Sequence, residues 1–279
     1  MSDPETIDPT DCPRANGMPM LGLGTWQNTD PAQCTESVRT ALECGYRHID
    51  TAQAYGNEEA VGEGIERADV PREDVFLATK VWTDNLAPED VKRTARESVD
   101  RLGVEAVDLL YVHWPAGAYD PKTTLAAFEE LVDEGVTRRI GVSNFLPEQL
   151  EEAVELCDAP VFANQVELHP RLQQPELRET AADLGVELVA YSPLARGAVF
   201  EEPTLSAIAD EYDVSEAQVS LAWLRGMGAT AIPKATGRAH IEDNWASLSL
   251  SLDEADLERI ASVDRGEREV DPDFGPWNQ

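Results

Sequence analysis

Lysine is nearly missing from this 279-residue chain: Lys80, Lys92, Lys122 and Lys234 are the only four, and the rest of its 22 basic residues are arginine. Set against 54 Asp+Glu, they leave a formal charge of −32. So large an excess of negative charge repels phosphate backbones and anionic lipid, which excludes binding to nucleic acid or a membrane surface through bulk electrostatics. Histidine and cysteine are scarce too, four of each. Cys12, Cys34, Cys44 and Cys157 show neither a Cys-x-x-Cys pair nor zinc-like spacing. No apolar run approaches the roughly 20 residues that a membrane span needs. The opening MSDPETIDPT is acidic and lacks the apolar stretch of a secretory signal. These absences point to a soluble protein of a reducing cytoplasm, with no nucleic-acid or membrane partner.

What is present is a core. At 42% hydrophobic residues the chain can fold, so its acid must lie on the surface. A dense carboxylate shell with little lysine suits a salt-adapted cytoplasm of the haloarchaeal kind, where strong salt screens self-repulsion. Weakened folding at low salt is the expectation.

Short apolar, β-rich segments alternate with amphipathic stretches. The strand candidates are 20–24, 46–50, 75–81, 107–112, 138–142, 161–166, 186–191 and 229–233. Between them lies helix punctuation. Asp30-Pro31 offers an N-cap followed by proline at the first helical position, and Gly45 closes that segment. Pro88 opens another, whose Val91, Ala95, Val99 and Leu102 recur at helical spacing before Gly103. Leu125, Phe128, Leu131 and Val132 mark a third, and Pro147 starts a fourth. Eight strand–helix units predict an α/β fold of the closed (β/α)8 TIM-barrel type, one domain over 1–279. The barrel spans about 20–250, with residues 1–19 as a cap beneath it and 253–279 as an extra helix and tail. A doubly wound open sheet fits less well, because no Gly-x-Gly-x-x-Gly turn follows the first strand.

Active sites of such barrels lie at the C-terminal ends of the strands. Asp50 ends the second predicted strand and Tyr55 follows it. Lys80 and Trp82 end the third, and the fourth runs into His113 and Trp114. Ser143 and Asn144 follow the fifth, then Gln165, Tyr191 and Lys234 close the sixth, seventh and eighth. Two of the four lysines and one of the four histidines thus share one rim. The chemistry suggested is proton donation to a carbonyl. A free phenol has a pKa of about 10, and a neighbouring ammonium lowers it, so Lys80 beside Tyr55 would tune the acid while Asp50 holds Lys80. His113 would orient the substrate oxygen. Each residue also has a plainer role: Asp50 as a helix cap, Tyr55 as a half-buried tyrosine, Lys80 in a rim ion pair, His113 in the core. His48 and Asp50 form a His-x-Asp pair, but no second ligand cluster supports a metal. Trp26, Trp82 and Trp114 suggest an aromatic pocket wall.

The residues resemble the aldo-keto reductase family. GYRHIDTAQAYGNEEAVGEGI at 45–65 is similar to that family's first signature. LATKVW at 77–82, DLLYVHWP at 108–115, GVSNF at 141–145, NQVELHP at 164–170, AYSPLARG at 190–197 and IPKATG at 232–237 follow in order. The resemblance covers about 17–260 and implies a catalytic tetrad at Asp50, Tyr55, Lys80 and His113, with Tyr55 as general acid in reduction. It also implies a nicotinamide cofactor extended across the barrel mouth. Ser143, Asn144 and Gln165 would hold its carboxamide, Tyr191 would stack on its ring, and Ser192, Leu194 and Arg196 would follow the pyrophosphate. Trp26, Trp82 and Trp114 would line the substrate side.

At the adenosine 2′-phosphate the family pattern is broken. Lys234 and Asn244 stand in register, but Ala235 replaces a serine and His240 an arginine; Arg238 lies two residues early and Asp243 beside the adenine position. NADPH is the expected cofactor, with NADH or dual use left open. The short tail resembles that of prokaryotic members of the 2,5-diketo-gluconate reductase type, which reduce small aldehydes, 2-oxo aldehydes and diketo sugar acids. Trp277 either folds over the pocket or anchors the tail. The implied activity is reduction of a small-molecule aldehyde or ketone by a monomer. The alternative is an idle nicotinamide-binding regulatory protein, and a metal-dependent hydrolase ranks below it.

Overall fold

The computed structural model describes residues 8–279. A two-stranded hairpin, β1 (Arg14–Ala15) and β2 (Met18–Pro19), precedes eight parallel strands: β3 (Leu23–Gly24), β4 (His48–Asp50), β5 (Phe76–Val81), β6 (Leu109–Val112), β7 (Ile140–Ser143), β8 (Val161–Glu167), β9 (Glu187–Tyr191) and β10 (Thr230–Ala231). Each pairs with its sequence neighbour. Parallel bridges Leu21–Ala231 and Gly24–Lys234 join the first of the eight to the last and close the barrel. All eight strands fall where the sequence places them. The terminal strands are shorter than expected, because closure is made by single bridges rather than a continuous ladder.

The barrel helices are α1 (Pro31–Cys44), α2 (Glu58–Arg67), α3 (Pro88–Leu102), α4 (Pro121–Asp133), α5 (Pro147–Leu156), α6 (Pro175–Leu184), α8 (Glu216–Gly226) and α9 (Arg238–Ala246). Five of them begin on proline, where the missing N–H costs nothing. Asp30 caps α1 by accepting from the Gln33 amide at 2.8 Å, and Gly45 ends it at φ 125°. Two helices lie outside the eightfold pattern. α10 (Glu254–Ala261) is the expected extra helix. α7 (Pro203–Tyr212), between β9 and α8, is one for which the sequence reading has no counterpart; Tyr212 ties it to α10 through Asp256 at 2.7 Å.

The two-residue period of the strands sorts the side chains. Phe76, Ala78, Leu109, Tyr111, Ala163, Val189 and Ile232 fill the barrel, with Met18 of the β1–β2 hairpin packed against them. Of the predicted cap, 8–19 is described and 1–7 lies outside the described residues. The same period carries the inward rows upward to Asp50, Lys80, His113, Gln165 and Tyr191. Gly141 is glycine because a Cβ there would stand 2.5 Å from the Tyr111 ring, which lies beneath Lys80.

Candidate active site

Above the filled core opens a cleft of about 880 Å³. At its base the ammonium of Lys80, fully buried, donates to Asp50 Oδ1 at 2.5 Å and to the Thr51 carbonyl at 2.8 Å. Gln165 Nε2 donates to Asp50 Oδ2 at 2.7 Å, so both carboxylate oxygens are occupied. Burial pushes the Lys80 pKa down while Asp50 opposes the shift. The Lys80–Asp50 pair is thereby fixed by hydrogen bonds that leave little rotational freedom.

Tyr55 sits on a short 3-10 turn (Gln53–Tyr55) after β4, its ring 5.1 Å from Lys80 Nζ and 5.8 Å from the His113 ring. Its hydroxyl has no hydrogen-bond partner among the described residues. The sequence reading needs correction here. Burial, reinforced by the Asp50 charge, raises the Tyr55 pKa well above its ordinary value, whereas Lys80 was expected to lower it. The largest cause is burial of the ring, and the Lys80 ammonium is itself hydrogen-bonded to Asp50 and Thr51. His113 is held well below its usual pKa by burial and then by Lys80, so its imidazole is neutral. Its Nδ1 is buried without a partner, leaving Nε2 as the ring nitrogen on the cleft side. His48 stands apart from this group: its Nδ1 contacts the Pro19 carbonyl at 3.2 Å, at the opposite end of the barrel, so it forms no pair with Asp50.

Asn144, in the left-handed region at φ 64°, bridges three strand ends. Its Nδ2 donates to the His113 carbonyl and Ser143 Oγ, both at 3.1 Å, and its Oδ1 accepts from the Tyr191 hydroxyl at 2.8 Å. After β9 the chain turns sharply, with Ser192, Ala195 and Arg196 at φ 45–48°. Among the described residues the Ser192 and Leu194 amides have no partner, and the turn brings Arg196 to the cleft, 4.8 Å over the Trp26 ring. Lys234 lines the same cleft. Trp82 and Trp114 line the cleft as well.

Four residues expected near the adenosine lie off this cleft. Arg238 pairs with Glu242 at 3.2 Å and Glu43 at 3.8 Å. The Asp243 carboxylate accepts from Ser215 Oγ at 2.7 Å and Gln218 Nε2 at 2.6 Å. His240 is exposed, and Asn244 is buried in α9. What the sequence reading missed is Phe274, whose ring packs edge-on against Trp82 (6.1 Å) and Trp114 (5.4 Å) at the cleft wall. Trp277 does not line the cleft: it packs on Trp114 at 5.6 Å and donates to Asp271 at 2.7 Å, which makes it the anchor of the tail. The only available signal for Phe274 was its aromatic character within a tail of 15 residues.

Fold and site together define a class, a (β/α)8-barrel oxidoreductase whose cleft is built at the strand ends without a Rossmann turn. The aldo/keto reductase family model matches residues 20–265, and the chain belongs to that family. It is 41% identical over 265 residues to an aldo-keto reductase of Mycolicibacterium smegmatis, covering 94% of this chain and 95% of that one. It is 39% identical to the glyoxal reductase of Bacillus subtilis, covering 90% and 91%. Among solved structures, one provisionally called a 2,5-diketo-D-gluconic acid reductase B superposes with a TM-score of 0.90 at 37% identity, covering 94% of both chains. The Bombyx mori aldo-keto reductase in complex with NADP gives 0.88 at 31%, covering 92% of both.

Proposed function

We propose that this protein reduces small aldehydes and 2-oxo aldehydes to alcohols, with Tyr55 as the proton donor and NADPH as the preferred cofactor. The observation that carries the reading is that Tyr55 and neutral His113 line the same cleft with their rings 5.8 Å apart, backed by the Lys80–Asp50–Gln165 network. The donor set also fits an extended dinucleotide. Unspent amides at Ser192 and Leu194 suit phosphate oxygens, Arg196 and Lys234 supply positive charge, and Tyr191 and Asn144 stand at the nicotinamide end. When bound, the dihydronicotinamide supplies hydride. His113 Nε2 then holds the carbonyl oxygen, and Tyr55 donates its proton to that oxygen as alkoxide character develops. Lys80 and Asp50 keep the floor of the site rigid, and the tryptophan wall excludes water. In this reading Lys234, which lines the cleft, would meet a 2′-phosphate. Because Arg238 is held by two glutamates, the preference for NADPH over NADH is expected to be modest.

The sequence expectation of a cytoplasmic monomer is retained in this proposal. Among the described residues only four large apolar side chains are exposed, and Phe200 and Phe274 belong to the cleft. No helix among those residues is long and apolar enough to cross a membrane.

The test is oxidation of NADPH, and separately NADH, with a panel of small aldehydes in molar salt. Tyr55→Phe should lower kcat by about 10²-fold or more with the cofactor Kd nearly unchanged, since the lost group acts in the transition state. Carbonyl turnover that survives in Tyr55→Phe would refute the assignment. Tight cofactor binding without turnover in the parent protein would favour the idle nicotinamide-binding reading.

A further inference from the structure

Glu167 ends β8 with no solvent exposure, and no lysine or arginine forms an ion pair with it among the described residues. A buried carboxylate persists only where hydrogen bonds replace its water. Here Oε1 accepts from the Glu269 backbone amide at 2.7 Å and from His169 Nε2 at 3.1 Å, and Oε2 accepts from the Val270 amide at 3.1 Å. Gln174 Nε2 donates to the Glu167 carbonyl at 2.5 Å. Two of the three donors to the carboxylate are therefore main-chain groups of the C-terminal tail, about a hundred residues further along.

That tail needs holding. From Asp264 to Gly275 it contains no helix or strand, yet Val270, Pro272 and Phe274 from this stretch line the cleft. Its other ties are of two kinds: near its start the Arg171 carbonyl accepts from the Arg265 and Glu267 amides and the Arg268 guanidinium lies 3.7 Å from the Trp277 ring, and at its end the Phe274 ring packs on Trp82 and Trp114. Among the described residues, Glu167 is the strand residue whose side chain hydrogen-bonds to the backbone of this stretch. It lies two residues beyond Gln165 on the same inward row and pairs in register with Tyr191. The side chains that hold the floor of the site and the tail that walls it are thus set by one rigid strand.

We propose that Glu167 is a positioning residue for substrate selection: its carboxylate clamps residues 269–270 and so fixes the Phe274 wall of the carbonyl pocket. This rests on the carbonyl-reductase reading. A small aldehyde fits between Tyr55, His113 and the tryptophans, whereas a bulky aromatic one also meets the tail. Loosening the clamp therefore acts on bulky substrates selectively.

Glu167→Gln replaces one acceptor oxygen with an NH2 that faces a backbone N–H. Because a buried substitution can also impair folding, Glu269→Pro serves as a second variant, deleting the 2.7 Å donor from the surface segment and leaving the barrel intact. Two readouts are taken on the full chain. Amide hydrogen exchange over 269–274 should accelerate by about tenfold in both variants, while β5 and β6 stay protected. The KM for 4-nitrobenzaldehyde should rise by about fivefold or more, with kcat, and the KM for a three-carbon 2-oxo aldehyde, within about twofold of the parent. Unchanged exchange in both variants would show that Glu167 does not hold the tail. Faster exchange with an unaltered substrate profile, or a uniform loss over all aldehydes in Glu269→Pro, would overturn the role in selection. The exchange readout needs no catalysis, so a parent protein that reduces no carbonyl defeats the activity reading and leaves the clamp separately judged.

Discussion

A phenol that stays protonated and an imidazole that stays neutral set the pH behaviour of the site. Burial and Asp50 raise the Tyr55 pKa, so its proton is retained past its ordinary value of about 10, and depression of His113 keeps that ring neutral below its ordinary 6.5. The proposed reduction uses both groups in those states. Its kcat should be flat between about pH 6.5 and pH 9, with no imidazole inflection. Alcohol oxidation needs the Tyr55 phenolate, the form that burial disfavours, so its kcat should climb with pH across the same window. Profiles in both directions check this, and coincident optima would contradict a tyrosine acid–base group. At this scale the sequence was informative about identity and less so about state. Asp50, Tyr55, Lys80 and His113 are legible because each ends or follows a strand in a short, patterned stretch. The direction of the Tyr55 shift is not, since it depends first on how deeply the fold buries the ring. Nor is the capture of Arg238 by Glu43, a partner from the far end of the chain.

Elements were legible where a period or a terminal signal exists, and opaque where packing alone decides. The eight strands and the helices that open on proline carry such signals. The β1–β2 hairpin, with two-residue strands, and the cleft-lining tail carry none. Helix α2 is a case of packing written in glycine. A Cβ at Gly62 would stand 2.3 Å from the Leu102 carbonyl oxygen at the end of α3, and one at Gly64 would stand 2.7 Å from Val38 Cβ on α1. Helix propensity alone favours alanine at both positions by up to about 1 kcal/mol. The contact with backbone reverses the sign, because a carbonyl cannot rotate away as a side chain can. Gly62→Ala should therefore destabilise by about 1–3 kcal/mol, the usual cost of overpacking, visible as a lower urea midpoint at unchanged m-value. A neutral or stabilising outcome would mean that α2 and α3 separate readily, and that the barrel wall is softer there than its packing indicates.

For the whole molecule the decisive quantity is charge, and all of it was visible in the sequence. The structure adds where the charge is compensated. Arg39 with Glu36 and Glu43, Arg93 with Asp90 and Glu97, and Arg67 with Glu63 are pairs within single helices, on partly or fully exposed side chains. Pairs of that kind contribute little and fade with salt. Lys80–Asp50, by contrast, is buried and insensitive to the ionic atmosphere. Added salt therefore weakens a few small attractions while screening the mutual repulsion of an excess of 32 negative charges, and the second effect is larger because it involves nearly every surface carboxylate. Raising the ionic strength from about 0.1 M to 1 M shortens the screening length from about 10 Å to 3 Å, below the spacing of most surface charges. The melting temperature should rise by roughly 10 °C between dilute buffer and molar potassium chloride, corresponding to a few kcal/mol for a chain of this size. Sodium chloride should act similarly, because screening depends on ionic strength rather than on a bound ion. The catalytic geometry should not follow the same curve: where the protein remains fully folded at both salt levels, kcat should differ little. A melting temperature that is flat across the range would show that the acidic shell is tolerated without screening. A rise with potassium but not sodium would point instead to specific cation sites among the carboxylates.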